Sequence, residues 1–130
     1  MSLLVLDSSA LVTLLIDPGG CGERVTEVLA GADVHAPDLL PYEVANVLRR
    51  HRASGRLTPT EATLAHQDLQ RLRIELWPYE VLGERSWALT GSLSSYDAAY
   101  LALAERLGAT LVTADARLAR GSGYEPVVLV

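Results

Sequence analysis

The pattern that most limits the fold is a repeated pairing of a short, wholly apolar run with a helix-forming segment. Residues 3–6 are apolar at every position, as a strand covered on both faces must be, and Ser8 and Ser9 after Asp7 open a helix predicted to reach Ile16. Asp17-Pro18-Gly19-Gly20 breaks the chain, residues 23–30 are amphipathic at helical period, and residues 34–36 suit a second strand. From Pro41, which fits a first helical turn, Val44, Val47 and Leu48 recur at helical spacing and Gly55 supplies a stop. Thr58-Pro59-Thr60-Glu61 is a capping box, so a further helix should run to about Arg71 and complete a helical hairpin. A third strand at 74–77, a helix over 79–90, a serine-rich turn at 92–95 and a helix ending at Gly108 follow. A strand at 110–113, a short helix over 114–120 and a last strand at 126–130 close the chain. Parallel neighbours need crossover helices, so this alternation predicts an α/β fold, a three-layer α/β/α sandwich with a mainly parallel sheet.

The 130 residues, 49 % of them hydrophobic, suffice for one domain over residues 1–130 with a core that needs no disulfide or structural metal. Cys21 is the only cysteine and no Cys/His spacing suits zinc, which points to a reducing cytoplasm. The apolar N-terminal stretch lacks a basic leader and carries Asp7 in its middle, and no run reaches the roughly 20 residues of a membrane span. A soluble protein without membrane contact is expected. The net charge of -5 argues against a general polyanion-coating surface, so any contact with nucleic acid must be local.

Four of the 16 acids occupy similar places. Asp7 and Asp115 lie just past predicted strands, and Glu43 and Asp97 in the first turns of helices, so all four read as strand-to-helix junctions. In an open parallel sheet those junctions share one rim, where such folds build their sites. Taken singly, each acid is explained by the helix dipole or by capping: Asp97 pairs with Ser94, and Asp7 or Asp115 suits an N-cap. Taken together, several carboxylates in a cleft must hold protons or bind cations. Oxygen-only ligation selects hard ions such as Mg²⁺ or Mn²⁺, which can activate water and neutralise a phosphate, the chemistry of phosphodiester hydrolysis.

The segments Leu4-Val5-Leu6-Asp7-Ser8-Ser9-Ala10-Leu11, Glu43-Val44-Ala45-Asn46-Val47-Leu48, Tyr96-Asp97-Ala98-Ala99-Tyr100 and Leu111-Val112-Thr113-Ala114-Asp115 resemble, in order and spacing, the PIN-domain ribonucleases, specifically the VapC-like toxins of toxin-antitoxin pairs. The resemblance implies an Mg²⁺- or Mn²⁺-dependent endoribonuclease whose catalytic, metal-holding residues are Asp7, Glu43, Asp97 and Asp115. Ser9, Asn46 and Thr113 are implied as supporting residues. It further implies an RNA substrate, a cognate antitoxin that lays a helix or tail along the toxin, and a homodimer. Some relatives carry a further acid where this chain has Arg117, which bears on a second metal.

Arg49, Arg50, Arg52 and Arg56, with His51, form a basic patch that either grips phosphates or merely complements the helix C-terminus. Arg49, Arg50, Tyr96 and Arg117 are the candidate RNA contacts. His35, His51 and His66 are scattered and read as ordinary residues. With no phenylalanine in the chain, the tryptophans and tyrosines are expected in the core first. The helices over 41–54 and 58–72 have apolar faces that serve either the core or a partner.

The alternatives are a haloacid-dehalogenase-like phosphatase, a PIN nuclease of RNA processing, and an inactive PIN-like binding module. The phosphatase normally has a second aspartate where Ser9 stands, and a lysine that this chain lacks. A dinucleotide-binding module would need glycines between the first strand and helix, and those at 19–22 come too late.

Overall fold

The computed structural model describes residues 2–17 and 19–130. Pro18, in the predicted break, and Met1, at the head of the apolar N-terminal stretch, lie outside the described residues. The elements in chain order are β1 (Leu3–Leu6), α1 (Ser8–Ile16), α2 (Gly20–Leu29), β2 (Asp33–Pro37), α3 (Leu40–Ser54) and α4 (Pro59–Arg71). There follow β3 (Glu75–Trp77), α5 (Tyr79–Ala88), α6 (Ser95–Leu107), β4 (Thr110–Thr113), α7 (Ala116–Gly121) and β5 (Val127–Leu129).

The strands form one sheet in the order β3-β2-β1-β4-β5, and every pair is parallel. The chain winds outward from β1 through β2 to β3, then returns through α5 and α6 to add β4 on the other side of β1. The order therefore reverses between β1 and β4, the point at which an open α/β sheet leaves a crevice beyond its strand ends. Helix α1 packs on α2, α3 and α4, whereas α6 pairs with α5 and crosses β1, β2 and β4, giving the layers of an α/β/α sandwich.

Local chemistry sets these elements. Thr58 and Glu61 exchange the two bonds of a capping box at α4. Gly55 and Gly108 end α3 and α6 at φ of 80° and 60°, a region costly for any residue with a Cβ. Helix α6 is buried without interruption from Ala98 to Ala104, so its alanines let it lie close on the sheet. The core combines Leu4, Val5 and Leu6 of β1 with Leu11, Leu40, Val44, Leu103, Leu111 and Val112. Among the described residues, no helix is long and apolar enough to cross a membrane.

Two expectations change. Asp97 does not follow a strand: α6 succeeds α5 through a turn, so only the other three acids stand at strand-to-helix crossings. The aromatic residues are mostly outside, with Tyr42, Tyr79, Trp87 and Tyr96 exposed and Tyr100 buried, because aliphatic side chains and alanine fill the interior.

Candidate active site

Asp7 and Asp115 cap α1 and α7, directly after β1 and β4, and so flank the crevice where the strand order reverses. Asp7 is buried and hydrogen-bonded through both oxygens. Its Oδ1 accepts hydrogen bonds from the Ser9 hydroxyl at 2.7 Å and the Ala10 amide at 2.9 Å, and its Oδ2 accepts from the Thr113 hydroxyl at 2.5 Å. Thr113 Oγ1 in turn accepts from the Asp115 amide, and Ser9 Oγ from the Ala114 amide. Two hydroxyls thus lock the ends of β1 and β4 in register. Asp115 Oδ1 accepts from the amides of Arg117 and Leu118.

Glu43 lies in the first turn of α3, where its Oε1 accepts from Tyr100 Oη of α6 at 2.6 Å. Asp97 lies in the first turn of α6, whose cap is the Ser94 hydroxyl accepting from the Asp97 amide, so the Asp97 carboxylate is free of capping duty. Arg117 Nη2 is 3.4 Å from Asp97 Oδ2 and 3.4 Å from Asp115 Oδ2, a single cationic nitrogen between two carboxylates.

Burial pushes the Asp7, Glu43 and Asp97 carboxyls above their ordinary range. Hydrogen bonds from Thr113, Ala10 and Ser9 oppose the rise at Asp7, and the Tyr100 hydroxyl opposes it at Glu43. At Asp97 the Arg117 charge is the main opposing influence. Each acid also feels another of the four: Asp115 acts on Asp7 and on Asp97, and Asp97 and Asp7 act on Glu43. Burial and the Glu43 charge push the Tyr100 hydroxyl far up, so it remains a donor.

The four carboxylates are electrostatic neighbours but do not close on one point. Among the described residues, no three of them have ligand oxygens within 4.8 Å of one another. Their oxygens are held by Thr113, Ser9, Tyr100 and Arg117 instead. The donor set nonetheless fits a hard cation, being all oxygen and negative in excess, with one guanidinium already standing between two of its members.

The group that does meet that spacing is Asp33, His35 and Glu75, on β2 and β3 away from this rim. His35 is therefore neither isolated nor at the surface. Its Nδ1 accepts from Trp77 Nε1 at 3.0 Å and lies 3.4 Å from Glu75, while Nε2 lies 3.1 Å from Asp33 Oδ2 without a hydrogen bond. The indole occupies Nδ1 and ties β2 to β3, while Nε2, beside Asp33, is left without a hydrogen-bond partner among the described residues. Glu75 is forty positions from His35, and only the register His35↔Glu75 brings them together.

The supporting and RNA-contact candidates divide. Ser9 and Thr113 hold Asp7 directly. Asn46 lies one turn beyond Glu43, and its Oδ1 accepts from Arg49 Nε at 3.1 Å. Arg50 and Tyr96 line a cleft with Glu43, while Arg117 turns inward to the acids. Sequence reasoning missed Tyr100 as a holder of Glu43, although it lies one turn after Asp97 on the same side of α6. It also missed Tyr42, which reaches the same cleft.

The PIN domain family model matches residues 4–123. The chain belongs to the PIN-domain family. It is similar to the VapC ribonuclease Mb0985 of Mycobacterium bovis, 36 % identical over 129 residues and covering 98 % of each chain. Among solved structures it resembles VapC20 of Mycobacterium tuberculosis, a sarcin-ricin loop cleaving toxin, at a TM-score of 0.70 and 17 % identity, covering 93 % of this chain and 95 % of that one. It also resembles a chain of a toxin-antitoxin complex from Klebsiella pneumoniae, at a TM-score of 0.63 and 20 % identity, covering 96 % and 95 %. This PIN-domain chain thus shares both sequence and fold with VapC proteins over nearly its full length.

Proposed function

We propose that this chain is a single PIN nuclease domain over residues 1–130 acting as a divalent-metal-dependent endoribonuclease, the toxin of a toxin-antitoxin pair. The observation that carries the reading is the group of mutually repelling carboxylates Asp7, Glu43, Asp97 and Asp115 around the crevice between β1 and β4. The full-length similarity to VapC ribonucleases supports it. These four would hold Mg²⁺ or Mn²⁺, which when bound lowers the pKa of water and neutralises charge on the scissile phosphate. Hydrogen bonds from Thr113, Ser9 and the Ala10 amide orient Asp7 and favour its ionised form, opposing the effect of burial. Tyr100 fixes one oxygen of Glu43 and leaves the other for ligation or for orienting water. Arg117 balances Asp97 and Asp115 until a stronger cation or a phosphate arrives, and its uncommitted N–H groups then suit a phosphate oxygen.

The partner in this reading is an antitoxin protein. The groove between α3, α4 and β3, about 440 Å³ and lined by Leu40, Pro41, Leu69, Leu72, Ile74 and Leu76, suits the apolar face of a helix from such a partner. A homodimer and a cytoplasmic setting belong to the same proposal. The phosphatase alternative is not favoured, since Ser9 supports Asp7 where a second carboxylate would be needed.

The test is cleavage of single-stranded RNA with and without Mg²⁺ or Mn²⁺, beside Asp97→Asn. Because the α6 cap uses the Asp97 backbone amide, the variant should keep its fold and lose cleavage. Undiminished cleavage in excess chelator, or by Asp97→Asn, overturns the proposal.

A further inference from the structure

A cleft of about 480 Å³ runs from the acidic rim along α3, and its lining is unlike the apolar groove. Tyr42, Glu43, Asn46 and Arg50 form a stripe at helical spacing on one side, with Ser8 at the head of α1 and Tyr96 of α6 facing it. Tyr42 is 81 % exposed and Tyr96 61 %, and neither hydroxyl has a hydrogen-bond partner among the described residues. Two large aromatic rings left in water beside one cleft bury little area and stabilise the fold little, so their faces are available to a ligand.

The polar side chains give that ligand a shape. Arg49 can only donate, so its bond to Asn46 Oδ1 orients the amide and leaves the Asn46 NH₂ free to donate. Arg50 has no carboxylate partner among the described residues, unlike Arg117. It lies seven residues beyond Glu43, about 10 Å along the helix at 1.5 Å per residue. A cation-binding rim at one end, a guanidinium at the other, and aromatic faces and an amide donor between them match a nucleotide, with phosphates at both ends and a base in the middle.

We infer that the Tyr42–Tyr96 cleft is a base-stacking subsite that receives an unpaired nucleobase of the RNA next to the scissile phosphate, with Arg50 holding the following phosphate. The inference rests on the ribonuclease reading and adds to it a requirement for single-stranded substrate at this position. A base held in a duplex is already stacked on its neighbours and cannot offer its face to a tyrosine.

The test measures binding separately from cleavage. Fluorescence anisotropy of a labelled single-stranded RNA is recorded on the Asp97→Asn chain, alone and combined with Tyr42→Ala, Tyr96→Ala, Tyr42→Phe, Tyr96→Phe or Tyr42→Leu. Each alanine change should weaken binding roughly five- to a hundredfold, phenylalanine should restore it and leucine should not. A duplex of the same sequence should bind weakly and be insensitive to all five changes. Alanine variants that bind as well as their parent, or leucine restoring as fully as phenylalanine, overturn the inference; the former outcome leaves cleavage by the wild-type chain unaffected as evidence for the nuclease. If the wild-type chain cleaves no RNA while binding still depends on both rings, the nuclease reading fails and the subsite stands as an RNA-binding surface.

Discussion

Replacing Thr113 with valine keeps the shape of a fully buried side chain and removes one hydroxyl, so it isolates what that hydroxyl does. In the wild-type chain the hydroxyl donates to Asp7 Oδ2 at 2.5 Å and accepts from the Asp115 amide at 3.0 Å. A hydrogen bond to a charged group contributes about 1.5–3 kcal/mol, and an amide left without its acceptor costs about 1 kcal/mol more. Burying the new methyl offsets about 0.8 kcal/mol, leaving a net loss of roughly 2–3 kcal/mol. With a urea slope of about 1–3 kcal/mol per molar, the midpoint should fall by roughly 0.7–3 M. The loss should also depend on pH, because the larger part of it comes from the charge on Asp7. Burial raises that carboxyl, so it protonates in milder acid than an ordinary aspartate, and there the deficit should shrink towards that of a neutral bond, about 1 kcal/mol. Urea denaturation at neutral pH and in mild acid, with Thr113→Ser as the variant that keeps the donor, measures this. A deficit that is the same at both pH values, or no larger than that of Thr113→Ser, refutes the assignment of Thr113 as the support of an ionised Asp7.

Arg117→Gln should tighten Mn²⁺ binding roughly two- to thirtyfold by titration calorimetry, because it removes a cation that competes for Asp97 and Asp115; Arg117 is 74 % exposed, so its two contacts are taken at the surface-pair value of about 0.2–1 kcal/mol each. Unchanged or weaker binding would show that the guanidinium does not compete with the ion. Stability against pH should follow the raised carboxyls: the folded chain holds protons more tightly than the unfolded one, so without metal the melting temperature should fall as pH rises from near 4 through the raised values. Added Mn²⁺ should restore it at neutral pH and have little effect in acid, where protons occupy the ligands; a metal effect of equal size at both pH values would place the ion elsewhere.

Much of this was legible because it is local. The apolar run 3–6, the Thr58-to-Glu61 box and the stops at Gly55 and Gly108 are decided within a few residues, and the structure forms their elements to within a residue or two. The acids were found because strand ends and first helical turns are marked by the same local signals. What stayed hidden depends on strand order and helix packing. His35 and Glu75 meet only because β2 and β3 pair in one register, and Tyr100 reaches Glu43 only because α6 lies beside α3 at the rim. Arg117 could not be told from a solvent-facing arginine, since its partners include a residue on another helix.

The supports around the acids are unequal, and that inequality assigns them different work. Asp7 has three donors, two in the first turn of α1 and one at the end of β4, so it is fixed before any ion arrives and suits the role of anchor. Glu43 has one donor on one oxygen, which sets its direction but leaves half of its capacity open. Asp97 and Asp115 share an exposed guanidinium, a contact that a divalent ion would replace at little cost. A site that held all four carboxylates rigidly at ion-binding distance would suffer the full repulsion of the empty state at neutral pH. Fixing one acid, steering a second and lending the other two a removable counter-charge lowers that repulsion while keeping every ligand on the same rim. On the proposed reading, the wider spacing of the four carboxylates is the arrangement expected of such a site before its cation binds, and Arg117 would be the counter-charge that the cation replaces.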